Sequence, residues 1–123
     1  SVLTMSSCKN LTSLKCLQLY RWEKGTRLTD EQEQALVLLK SLQRLEFLWC
    51  YDLVDLPARL RNLPSLKSLK IDQCGSISRL PEAGLPHSLE ELKIESCSQE
   101  LYDECRQLAT SKLKVKIDWT YVN

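Results

Sequence analysis

Aromatic residues are scarce, 7% of a 123-residue chain, and there is a single histidine, His87. One histidine allows at most one Ser/His or Cys/His pairing, and Leu85-Pro86-His87-Ser88 does not resemble a nucleophile elbow. The three glycines are scattered and build no phosphate-cradling loop. An excess of one charge is missing too. Seventeen Lys and Arg face sixteen Asp and Glu, and a net charge of +1 argues against a nucleic-acid binder working through a broad positive field. No apolar run approaches the roughly 20 residues of a membrane helix, and the first residues lack the charged start and apolar stretch of a secretory signal. The expectation is a non-enzymatic chain without its own cofactor or metal, whose function lies on its surface.

Leucine, by contrast, is abundant: 25 of 123 residues. With 43% hydrophobic and 27% charged residues, the chain can bury one core, and 1–123 reads as a single domain. The leucines are periodic. Leu63, Leu66, Leu69, Ile71 and Cys74 follow L-x-x-L-x-L-x-x-C, as do Leu39, Leu42, Leu45, Phe47 and Cys50. Leu89, Leu92, Ile94 and Cys97 repeat it with Pro86 in the first slot. Weaker copies run Leu11, Leu14, Leu17, Leu19, with Trp22 in the cysteine slot, and Val115, Ile117, with Thr120 there. Taking Leu17, Leu45, Leu69, Leu92 and Val115 as equivalent gives steps of 28, 24, 23 and 23 residues, the mark of a leucine-rich repeat.

Alternation of apolar and charged residues in Leu69-Lys70-Ile71 and Leu92-Lys93-Ile94 is the period of a half-buried strand. One such strand per coil makes the strands parallel, their leucines stacking on those of neighbouring coils. The fold class expected is α/β, a leucine-rich-repeat solenoid with about five short parallel strands on its concave face. Prolines in Leu56-Pro57, Leu63-Pro64, Leu80-Pro81 and Leu85-Pro86 make the convex connectors extended or 3₁₀. Two short helices interrupt them. Thr29-x-x-Gln32 has capping-box spacing and predicts a helix over 30–39, and Ser98 caps one over 99–109 carrying Leu101, Cys105, Leu108 and Ala109.

Residues 1–15 fit poorly. Leu3, Met5 and Cys8 mimic a strand, yet Leu17 follows Leu3 after only 14 residues, so this is a truncated coil or an irregularly paired strand. With no starting Met and no polar cap, the chain is expected to be the C-terminal piece of a longer array. Its uncapped N-terminal edge would invite self-association. Cys50, Cys74 and Cys97 recur in phase with the leucines, which suits small buried residues whose thiols face turn backbone. No C-x-x-C pair exists, so zinc is not expected. Reduced thiols imply the cytosol or nucleus, where the formal sequon Asn10-Leu11-Thr12 is never glycosylated.

Parallel stacking aligns the outward residues into columns. One reads Gln18, Glu46, Lys70, Lys93, Lys116; the next Tyr20, Leu48, Asp72, Glu95, Asp118; the third Cys16, Arg44, Ser68, Glu91, Lys114. Adjacent lysine and acidic rows either screen one another or meet a partner. Toward the N-terminal half the face turns apolar, with Tyr20 and Leu48 on it and Trp22, Trp49 and Tyr51 near its rim. Such a composition marks a contact patch, unless the tryptophans pack inside the turns. The candidate partner-binding residues are Tyr20, Trp22, Glu46, Leu48, Trp49, Lys70, Asp72, Lys93 and Glu95.

The segments from Leu53 to Cys74 and from Ile77 to Cys97 resemble the C-terminal repeats of plant intracellular nucleotide-binding leucine-rich-repeat disease-resistance receptors, especially the cereal coiled-coil type. The Leu-Thr-Asp-Glu-Gln-Glu helix and the final cysteine-containing helix with its Lys/Val/Ile strand are similar too, so the resemblance covers most of 11–123. It implies repeats that sense a pathogen effector or a host protein and restrain the receptor's own nucleotide-binding domain, where ADP or ATP would bind, upstream of this segment. An F-box-type ubiquitin-ligase substrate receptor, whose repeats also use the cysteine variant, is the rival reading. An enzyme would instead need converging ionisable groups, and a structural spacer would be indifferent to surface mutation.

Overall fold

A computed structural model describes residues 11–23 and 25–122. Strands form where apolar and charged residues alternate: β1 (Cys16–Tyr20), β2 (Arg44–Leu48), β3 (Ser68–Asp72), β4 (Glu91–Glu95) and β5 (Lys114–Ile117), with β6 (Thr120–Val122) closing the order. β1 to β5 are parallel and lie side by side in chain order. The chain is therefore α/β, built on one open six-stranded sheet. The expectation of about five strands misses β6, which turns back antiparallel to β5. Left-handed residues at Asp118 (φ 45°) and Trp119 (φ 73°) make that reversal, so Asp118 leaves the column expected of it and Thr120 starts a strand rather than a turn.

The leucine spacing is the register of the sheet. Leu17, Leu45, Leu69, Leu92 and Val115 pair across it, as do Leu19, Phe47, Ile71, Ile94 and Ile117. From β2 to β4 both rows are fully buried, with Leu42, Leu53, Leu60, Leu63 and Leu66 behind them. Each buried leucine contributes roughly 1.5–3 kcal/mol, largely offset by the entropy of ordering its coil. At the outer strand β1, Leu17 is only half-buried.

The connectors follow their local chemistry. Helix α1 (Asp30–Val37) starts in a full capping box: Gln32 N–H donates to Thr29 Oγ1 at 3.1 Å and Thr29 N–H to Gln32 Oε1 at 2.8 Å. It ends two residues before the predicted 39, because Leu38 and Leu39 N–H groups bond three residues back and tighten the last turn. Helix α2 (Gln99–Arg106) likewise stops before 109, with Leu108 and Ala109 in the same tightened bonds, and buries Leu101 and Cys105. The Ser98 hydroxyl accepts from Leu101 N–H and donates to Ile77 O at 2.8 Å, tying α2 to the preceding connector. A 3₁₀ turn spans Leu60–Asn62, between two of the prolines. Of the irregular stretch expected over 1–15, residues 1–10 and the N-terminal edge they would form lie outside the described residues. Residues 11–15 hold a turn closed by Leu14 N–H to Leu11 O.

Every strand end rotates the same way. Arg21, Trp49, Gln73 and Ser96 each follow a strand with φ of 50–58°, a left-handed conformation costing roughly 1–2 kcal/mol for a non-glycine residue. The first three N–H groups recover a hydrogen bond from the end of the next strand, to Leu48, Asp72 and Glu95 carbonyls at 2.9–3.0 Å. One residue further on, Cys50, Cys74 and Cys97 point their thiols at backbone. Cys50 Sγ donates to Leu19 O at 3.2 Å, Cys74 Sγ to Asp72 O at 3.3 Å and Cys97 Sγ to Glu95 O at 3.2 Å. The neighbouring Cys50 side chain and burial together push the Cys74 thiol up. Burial pushes Cys97 up as well. The Cys74 and Cys97 thiols thus stay protonated as donors, whereas the hydrogen bond with the Cys74 side chain and those with the turn backbone lower Cys50 to about 7.

Candidate functional site

The left-handed turns after β1 and β2 set an exposed aromatic group. Arg21 and Trp49 follow adjacent parallel strands at equivalent positions, so the shared rotation sets them side by side at the ends of β1 and β2. The Tyr20 and Trp49 rings lie 5.2 Å apart, tilted by 47°. Arg21 places its guanidinium 5.4 Å from the Tyr20 ring and 5.2 Å from that of Trp49. Such cation–π contacts contribute about 0.5–1 kcal/mol each at an exposed site and hold all three side chains in one arrangement. Tyr20 is 54% exposed and nearby Tyr51 59%. Beside Tyr51 a cleft of about 190 Å³ is lined by Arg21, Trp22, Glu23, Trp49, Tyr51 and Asp52. No carboxylate pairs with Arg21 among the described residues.

The candidate residues divide. Tyr20, Leu48 and Trp49 gather at this end of the sheet, Tyr20 exposed and the other two half-buried. Trp22 does not join them on the surface. It is buried, in the slot held elsewhere by cysteine, and its Nε1–H finds no acceptor among the described residues. A thiol fits that slot and reaches a carbonyl; the larger indole fills it without doing so.

The charged candidates are mostly occupied with one another. Gln18 Nε2 donates to Glu46 at 2.7 Å, Lys70 pairs with Glu95 at 3.7 Å and Lys93 with Glu91 at 3.6 Å. Glu95 is buried, so of the acidic row only Asp72, half-buried beside it in register, remains partly open. The lysine and acidic rows therefore neutralise each other across the β3–β4 half of the face, which leaves the aromatic–arginine group as its least satisfied part.

A second aromatic group escapes the sequence reading. Trp119, 70% exposed, and Tyr121, 49% exposed, flank Lys116 Nζ at 5.9 and 5.1 Å, and Tyr121 donates its hydroxyl to Glu91 at 2.6 Å. That hydrogen bond pushes the Tyr121 hydroxyl up. The signal available was the Thr-Tyr-Val triplet after Asp118-Trp119, a β-rich run following a turn.

Among the described residues no three His, Cys, Asp or Glu side chains converge on a point a metal could occupy. Five described cysteines are free thiols, and no described helix is long and apolar enough to cross a membrane. No family model, curated protein or solved structure matches the chain.

Proposed function

We propose that this chain is a leucine-rich-repeat solenoid acting as the protein-recognition part of a plant intracellular immune receptor. It binds a pathogen effector or a host protein and restrains the receptor's nucleotide-binding switch, working in the cytosol or nucleus without chemistry of its own. The strand register at steps of 28, 24, 23 and 23 residues and the thiol ladder in phase with it favour the repeat reading. The resemblance of residues 53–97 to cereal receptor repeats supplies the cellular role. One observation carries the recognition reading: Tyr20, Arg21 and Trp49 form a pre-arranged group, with exposed Tyr51 nearby, beside a face where Glu46, Lys70, Lys93 and Glu95 are already engaged. Aromatic and arginine side chains held rigid at a surface are the usual anchors of a protein interface.

The test is site-specific photocrosslinking in leaf cells, with benzoylphenylalanine placed at Tyr20, Tyr51 or, as a control on a connector, Glu82. A protein captured from Tyr20 and Tyr51, not from Glu82, and lost on adding Trp49→Ala is the expected result. Identical captures from all three positions, or none, would remove the recognition face.

A further inference from the structure

Away from the aromatic–arginine group, at the opposite ends of the strands, lies a larger open groove of about 780 Å³. Lys67, His87, Lys112 and Lys114 line it together with the carboxylates Glu90 and Glu91. Both carboxylates are already engaged. Glu90 pairs with Lys67 at 3.3 Å, and Glu91 accepts the Tyr121 hydroxyl at 2.6 Å and faces Lys93 at 3.6 Å. Lys112 and Lys114 have no carboxylate partner among the described residues.

A further cation, Arg61, contacts His87 from outside the groove. Arg61 Nη2 lies 2.8 Å from His87 Nε2, and Nη1 donates to Ala83 O at 3.0 Å. A guanidinium only donates, so Nε2 is the accepting nitrogen and Nδ1 the one with an N–H to give. The loop bearing Lys112 is fixed as well: Thr110 Oγ1 accepts from the N–H groups of Lys112 and Leu113 at 3.2 and 3.0 Å. Lys112 and Lys114, two residues apart, thus line the groove as cations without a carboxylate partner. Concavity focuses their field far more than the same charges on a flat surface.

We infer that this groove binds a compact dianion, a phosphate monoester, between Lys112 and Lys114, with His87 donating to a third oxygen. The site is independent of the recognition face. Its two sources are a small phosphorylated metabolite and a phosphorylated side chain of a partner protein, which share the group that the lysines read.

The test is a ¹H–¹⁵N NMR titration of the whole chain at constant ionic strength set with sodium chloride. Inorganic phosphate, glycerol 2-phosphate and a phosphoserine-containing hexapeptide serve as probes. The expected result is saturable shifts confined to residues 87–91 and 112–114, weakened at least tenfold in Lys112→Ala/Lys114→Ala and unchanged in Lys40→Ala. The tighter of glycerol phosphate and peptide then names the source. Shifts spread over all lysines, no saturation, or full binding by the double variant would overturn the site.

Discussion

Asp118 Oδ1 accepts the Ser96 backbone N–H at 2.9 Å, standing where earlier coils use a main-chain carbonyl. Tyr102 completes the arrangement, its hydroxyl 3.0 Å from each Asp118 oxygen and accepting Cys97 N–H at 3.0 Å. Burial pushes that hydroxyl up, so it remains a donor to the carboxylate. The left-handed turn after β4 is thereby satisfied by a side chain, because the chain reverses at Asp118 after β5. Asp118→Ala should cost about 1 kcal/mol, as a lost hydrogen bond at a partly solvated site does. The midpoint of thermal unfolding should fall by about 3–5 °C. Asp118→Asn, which keeps an acceptor oxygen, should lose less than half of that; an equal loss would assign the effect to charge.

Leu69 sits at the centre of the buried row, fully enclosed between Leu45 and Leu92. Leu69→Ala should cost about 2–5 kcal/mol through the lost methyl groups and the cavity left behind. Leu69→Asp, which buries a charge without a partner, should abolish the cooperative transition. Circular dichroism melts check both. A Leu69→Asp variant melting like the parent would mean that the coils do not share one interior.

Cys105 makes stability depend on alkaline pH. Burial first, and the Glu104 charge second, push its thiol from an ordinary 9.0 up to about 12. Between those values the unfolded chain has released the proton and the folded chain still holds it. Stability is therefore complete below about pH 9 and falls as pH rises toward 12, by about 1.4 kcal/mol per unit for this one thiol. Urea unfolding at about pH 8 and 10.5 reads the slope. In Cys105→Ala the loss between the two should shrink by about 2 kcal/mol.

Trp22 carries an unpaired buried N–H. Such a donor costs roughly 1–3 kcal/mol relative to a satisfied one, while the ring itself fills its slot. Trp22→Phe keeps most of the apolar volume and removes the donor, so it should hold or raise the denaturant midpoint. Trp22→Ala should lower stability by about 3–5 kcal/mol as a core truncation. A phenylalanine variant as damaged as the alanine one would show that the indole N–H has an acceptor.

Leu69, Ile71 and Cys74 show why the strands were legible. Period-2 alternation and a 23- to 28-residue step are one-dimensional signals, and parallel stacking converts them directly into register. The caps at Thr29 and Ser98 were legible for the same reason, being local in sequence. The reversal at Asp118 was not. It depends on a carboxylate reaching Ser96, 22 residues away, and nothing in Lys-Ile-Asp-Trp distinguishes that turn from the ends of β3 and β4. Trp22 was ambiguous because composition alone cannot tell an indole filling a cysteine slot from one on the rim. Glu95 was drawn as surface because alternation assigns a side, whereas it is buried with Lys70 lying against it.

The short returning strand β6 also decides how this sheet behaves toward strangers. A parallel sheet ending on a bare β5 would offer its row of amides and carbonyls for another chain to template on. Here the outermost segment on that side is three residues long and is reached only after a tight reversal. Polymerisation through that flank is thereby discouraged without any proline or charge being spent on it.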